Sequence, residues 1–250
     1  MPPLHTANRL PIPILTFHQI AASPPRGAAF RSLYVSPAAF ARQMALLHLC
    51  GYRGLSMSAL MPYLRGELEG KVVGITFDDG YLNNLEHALP VVSRYGFSST
   101  CYVVSQLVGR SNEWDREAGI AQTPIMNAAQ LRQWVAGGQE LGAHTRTHAH
   151  LTSLGLQAWQ DEILGSRSDL EAIANVPVRH FCYPYGEFTA GQAQWVRSAG
   201  FDSATTTLRS RCHSGDDLMR LPRVPVLRST TLPLLWMKLR TAYEDRRRLP

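Results

Sequence analysis

The 250-residue sequence is short of several things, and each shortage removes a class of protein. Cysteine is scarce: Cys50, Cys101, Cys182 and Cys212 stand far apart, and no C-x-x-C occurs. Such spacing fits neither a zinc ribbon nor a small disulfide scaffold, so reduced, buried thiols are expected. No apolar run reaches the roughly 18 residues that would suggest a membrane-spanning helix. The first stretch, MPPLHTANRLPIPILTFHQI, lacks the charged-then-apolar pattern of an export leader, and the expected compartment is the cytoplasm. No basic segment is interleaved with aromatics, which argues against nucleic acid as a partner.

Charged residues make up only 18% of the chain, while the 45% hydrophobic content is ordinary for a folded protein. The net charge of +6 is concentrated in Arg209, Arg211, Arg220, Arg223 and Arg228, and in the tail Arg246–Arg248. Most of this is read as solvated surface; the tail also suggests a peripheral contact with an anionic membrane face. There is no internal repeat and no linker. One domain over 1–250 is expected, with 1–11 and 243–250 as loose ends.

What is present is an alternation of two patterns. Short apolar runs at 12–17, 71–77, 98–104, 139–144, 178–186, 202–207 and 219–226 read as buried strands. Between them lie segments with helical spacing. SPAAFARQMALLHLCGY (36–52) has a Ser cap and a Pro in its first turn, and NAAQLRQWVAGG (127–138) is capped by Asn. A kink or late start is expected at Pro90 in 83–97, and a break near Gly165 in 152–175. The stretch 231–248 reads as a terminal helix. Seven alternations imply an α/β fold with a mostly parallel sheet, open or closed into a barrel. Residues 105–126, with Trp114, form a long irregular loop, a frequent place for function.

The chemistry-bearing residues follow strand ends. His18, Asp78–Asp79, His144 and Tyr185 all come just after a predicted strand, where parallel α/β folds build their sites. HTRTH sets His144 and His148 four residues apart; on a helical turn they would aim at one point and share a metal ion. Two imidazoles and one carboxylate leave open positions on a zinc-like ion, and the spare carboxylate of the Asp78–Asp79 pair can handle a proton.

TFDDG (76–80) and HTRTH (144–148) together resemble the first two motifs of the polysaccharide deacetylase family, the chitooligosaccharide-deacetylase homology domain of carbohydrate esterase family four. FCYPYG (181–186) is similar to its third motif. The resemblance spans roughly residues 12–226 and implies a distorted (β/α)7-type barrel. It implies Asp78 as general base, with Asp79, His144 and His148 as ligands of a divalent metal, zinc by expectation. The backbone N–H of Tyr185 would help hold an oxyanion. The family also needs a histidine acid, and none follows the third motif in context. ILTFH (14–18) resembles a segment of the circularly permuted subgroup related to poly-N-acetylglucosamine deacetylases, which implies His18 in that role. Two departures stand out. Cys182 replaces the third-motif arginine that orients the base, a charge Arg223 in LPRVPV could restore; the Asp-Trp pair of the fourth motif is absent.

The function implied is removal of N-acetyl groups from a sugar in a polysaccharide or glycoconjugate. Two alternatives stay open: hydrolysis of a non-sugar C–N bond or an O-acetyl ester at the same site, and an inactive carbohydrate-binding relative.

Overall fold

The computed structural model of the chain describes residues 10–248. Of the loose ends expected at 1–11 and 243–250, residues 1–9 and 249–250 lie outside the described residues. Among the described residues seven parallel strands form a ring. They are β1 (Ile14–Phe17), β2 (Val72–Phe77), β3 (Thr100–Val103), β4 (Glu140–Ala143), β5 (His180–Cys182), β6 (Ser203–Arg209) and β7 (Leu221–Pro225). Each pairs with its successor. Leu15 of β1 lies opposite both Ile75 of β2 and Val224 of β7, which closes the barrel. The fold is the distorted (β/α)7 barrel that the family resemblance implies, and it settles in favour of closure what the alternation left open. All six residues of β2 are buried, because helices cover its outer face and side chains fill the interior behind it.

The outer helices are α1 (Pro37–Leu49), α2 (Met57–Leu64), α3 (Leu89–Arg94), α4 (Ala128–Ala136), α5 (Leu156–Ala174), α6 (Ala190–Ser198) and α7 (Leu232–Arg240). Their starts are chemically marked. The Ser36 hydroxyl accepts from the N–H of Ala39, and Asn127 with Gln130, and Thr189 with Gln192, form reciprocal capping boxes. A short strand, Arg53–Leu55, and α2 had no sequence expectation; three residues are too few to show alternation, and Pro62 disguises the helical pattern. At Pro90 a π-helical turn, Asn84–Ala88, runs into α3, so the proline sits in the first turn, where its missing N–H costs least.

Two expectations are corrected. α5 does not break at Gly165. A Cβ there would lie 2.2 Å from Arg146 Nε, so the glycine admits the Arg146 side chain against the helix, where it pairs with Asp161 and Asp169. The terminal helix stops at Arg240, and residues 243–248 are not a loose end. Glu244 is fully buried between Lys238 and Arg209; Arg211 and His213 hold Asp245; Arg248 pairs with Asp216. Arg247 lies over the Tyr243 ring at 4.5 Å. This arrangement lends no support to a membrane contact through the tail. No helix among the described residues is long and apolar enough to cross a membrane.

Candidate active site

The first two motifs meet where β2 and β4 end. Asp79 Oδ1 lies 3.4 Å from His144 Nε2 and 3.5 Å from His148 Nε2, and one ligating atom from each residue falls within 4.8 Å of the others. Donors held about 2.0–2.1 Å from one tetrahedral ion stand about 3.4 Å apart. The three groups therefore fit a divalent cation of zinc size. All three are buried. His144 Nδ1 meets the backbone carbonyl of Cys182 at 2.8 Å, which leaves Nε2 turned to the site. Burial pushes the His148 pKa down to about 3 against the pull of Asp79, so its imidazole is neutral and its lone pair is available. Burial works to raise Asp79, but the three histidines His144, His18 and His148 hold it well below the usual carboxylate range.

The motif does not use a helical turn, as the i, i+4 spacing suggested. His144 caps β4, and the chain then folds through left-handed conformations at Thr145 (φ 64°) and His148 (φ 63°). Thr145 Oγ1 accepts from the His148 N–H at 3.0 Å, and Glu162 of α5 accepts from the N–H groups of Arg146 and Thr147. With Arg146 paired to Asp169, this loop is fastened to α5. Asp79 (φ 74°) and Tyr185 (φ 58°) share the left-handed conformation, which is costly for residues with a Cβ and clusters here around one cavity.

Asp78 faces a different environment. Arg223, from within β7, binds both of its carboxylate oxygens at 2.7 Å. The arginine is itself buried; its Nε donates to the Thr206 carbonyl and one Nη to Cys182 Sγ at 3.3 Å. Thr16 donates to Asp78 Oδ2 at 3.3 Å, and His18 Nε2 lies 3.8 Å from the same oxygen. Burial raises the Asp78 pKa, but the guanidinium outweighs it and holds the carboxyl below its ordinary value. The guanidinium that reaches this carboxylate comes from another strand and also touches Cys182, at the end of β5.

These residues open into a cleft of about 130 Å³. Trp114 stacks on His148 at 4.4 Å, Tyr185 meets His148 edge-on at 4.6 Å, and His150 lies parallel to Tyr185 at 3.9 Å. Phe30, Tyr34, Tyr81 and Asp115 are among the other residues of its walls. The structure thus brings together every residue singled out in the sequence: His18, Asp78, Asp79, His144, His148, Tyr185 and Arg223. His213 sits elsewhere, against Asp245.

The sequence profile of the polysaccharide deacetylase family matches residues 65–204, more than half of the chain. The chain belongs to the polysaccharide deacetylase family. YxkH of Bacillus subtilis, whose name carries the same family description, is 25% identical over 225 residues, 89% of this chain and 74% of that protein. A polysaccharide deacetylase of Bacillus cereus superposes with a TM-score of 0.77 at 25% identity, over 92% of this chain and 69% of that one. The deacetylase PplD of Streptococcus pyogenes, solved with acetate, shares the fold at a TM-score of 0.81 and 24% identity, over 92% and 99% of the two chains. The matched segment 65–204 contains Asp78–Asp79, His144–His148 and Tyr185, whereas His18 and Arg223 lie outside it. Barrel closure, through β1 and β7, delivers those two to the same cleft.

Sequence reasoning missed Tyr81, Asp115, Thr16 and Thr206. Only Asp115 had a signal, its place beside Trp114 in the long loop. Thr16 is a strand residue whose contact with Asp78 becomes meaningful only in a closed barrel, and Thr206 serves through its backbone carbonyl, which no side-chain pattern announces.

Proposed function

We propose that this chain is a metal-dependent hydrolase that removes N-acetyl groups from a sugar of a polysaccharide or glycoconjugate. The observation that carries the reading is the pairing of a three-donor cluster, Asp79, His144 and His148, with a separate carboxylate, Asp78, that an arginine keeps ionised in the same cleft. An acetamide is a poor electrophile with a poor leaving group, so its hydrolysis needs a nucleophile, charge stabilisation and a proton donor. A divalent ion such as zinc, when bound, supplies a Lewis acid that polarises the carbonyl and acidifies a water.

The chain's own residues do the rest. Asp79, His144 and His148 hold the ion. Asp78 accepts the proton of the attacking water; the Arg223 grip keeps it deprotonated and fixes its direction, at the expense of basicity. The left-handed turn at Tyr185 presents backbone to the cleft wall, where its N–H would face a developing oxyanion. His18, beside Asp78 and partly open to solvent, would give its proton to the departing amine. Trp114 and Tyr185 offer aromatic surfaces of the kind that pack on sugar rings, which favours a carbohydrate over a small charged metabolite.

The test is acetate release from N-acetylated oligosaccharides, followed by mass spectrometry. Chelation should abolish it, zinc should restore it, and Asp78→Asn should remove it without loss of bound metal. Acetate release indifferent to both treatments would contradict the proposal.

A further inference from the structure

One carboxylate in the cleft is used by none of these steps. Asp115 lies in the short 3-10 turn Glu113–Asp115, next to the tryptophan that stacks on His148. Its Oδ2 accepts from Asn112 Nδ2 at 3.0 Å; among the described residues its Oδ1 has no hydrogen bond, and no arginine or lysine pairs with it. The nearby Arg116 is engaged with Glu113 instead. The turn is firmly built. Asn112 is only 1% exposed, and its Oδ1 accepts from the Thr123 N–H at 2.6 Å, while Ser111 bridges to Pro124 across the loop. A half-buried carboxylate without a cation, held by a rigid turn in the wall of an aromatic cleft, is costly unless something positive comes to it. Its charge reaches the site: Asp115 helps raise the pKa of Tyr185, after burial, and that of Tyr81, after burial and Asp79.

We infer that Asp115 reads a protonated amino group on the glycan, so that the cleft favours a chain already carrying free glucosaminium beside the acetamido sugar to be cleaved. The inference rests on the proposed deacetylase reading and narrows its substrate class to partially deacetylated glycans. The deacetylation product carries the same group as the preferred neighbour, so action along a chain would reinforce itself. Asp115 is a specificity residue here; no proton or bond change is assigned to it.

Two measurements test this on the full chain. In the first, Trp fluorescence follows binding of a fully deacetylated glucosamine tetrasaccharide, in β-1,4 and β-1,6 linkage, and of the fully N-acetylated counterparts. Asp115→Asn keeps an acceptor for Asn112 and removes only the charge. The unmodified protein should bind at least one amine-bearing tetrasaccharide more tightly than Asp115→Asn does, by about tenfold, as for a hydrogen bond to a charged group. That advantage should shrink with added salt, and the acetylated compounds should not show it. In the second, the ratio of kcat/KM for partially deacetylated over fully acetylated tetrasaccharide should fall toward one in Asp115→Asn. Equal binding of the amine-bearing compounds by both proteins overturns the inference. Absence of acetate release from every glycan counts against the deacetylase reading alone, because the binding comparison still decides the role of Asp115.

Discussion

Arg223 and Asp78, 145 residues apart in sequence, form a two-pronged ion pair inside the barrel, each guanidinium–carboxylate contact 2.7 Å long. The sulfur of Cys182 contacts the same guanidinium. The charge that keeps Asp78 ionised is thus delivered by the last barrel strand.

Removing that arginine should be severe. Arg223→Met leaves Asp78 buried and unpaired, and breaking one side of a buried pair costs about 3–5 kcal/mol. Denaturant unfolding should show this loss. Arg223→Lys, which keeps charge but loses the fork, should fold better and still lower kcat, with the acid limb of the pH–rate profile moved upward as the Asp78 pKa rises.

In the proposed mechanism, His18→Gln should separate acid chemistry from metal binding. Loss of a positioned proton donor costs about 10²–10⁴ in kcat. Zinc content, measured on the purified variant, should stay at the level of the unmodified protein, since His18 is outside the three-donor cluster.

A pH dependence of stability arises at the opposite pole of the barrel. His180 is fully buried, between Ser58 and Ser203, with Glu140 3.6 Å away. Burial holds its pKa below the ordinary value, in spite of Glu140 and Asp202 and aided by Arg179 and Arg65. The unfolded chain therefore takes up this proton first, at about pH 6.5. Stability should fall as pH drops from there toward the lower folded-state pKa. Asp78 and Asp245, held below their ordinary values, add a further loss once pH falls below about 4. Urea midpoints between pH 8 and 3 should show both phases, and His180→Gln should weaken the upper one.

Gly186→Ala should damage the site through the backbone. Gly186 has φ 75°, and an added Cβ would lie 1.9 Å from Thr207 Oγ1 and 2.8 Å from the Thr207 backbone nitrogen. The turn carrying Tyr185 must shift, so both melting temperature and kcat should fall. The expected loss of stability is about 1–3 kcal/mol.

Much of this was visible in local sequence. β2 reads as VVGITF because a strand covered on both faces must be apolar along its length, and Ser36, Asn127 and Thr189 announce their helices by capping free N–H groups. The carboxylate pair and the HTRTH spacing named four site residues, Asp78, Asp79, His144 and His148, with no coordinates at all. The left-handed loop that aims His148 was hidden, since nothing in T-R-T requires φ above zero; the Thr145 hydroxyl and the α5 carboxylates impose it. The unbroken α5 was hidden too, because Gly165 answers to Arg146 and not to its own helix.

The chain's local chemistry, then, determined the order of strands and helices and the set of donors able to hold a cation, because hydrophobic period and capping act over a few residues. Only tertiary closure decided that β7 lies against β1, so that Arg223 meets Asp78 and His18 comes beside them. It also decided that a loop 36 residues beyond Asp79 sets Trp114 and Asp115 over the cleft. Such pairings depend on where the ring closes and in what register, and no short window of sequence carries that information.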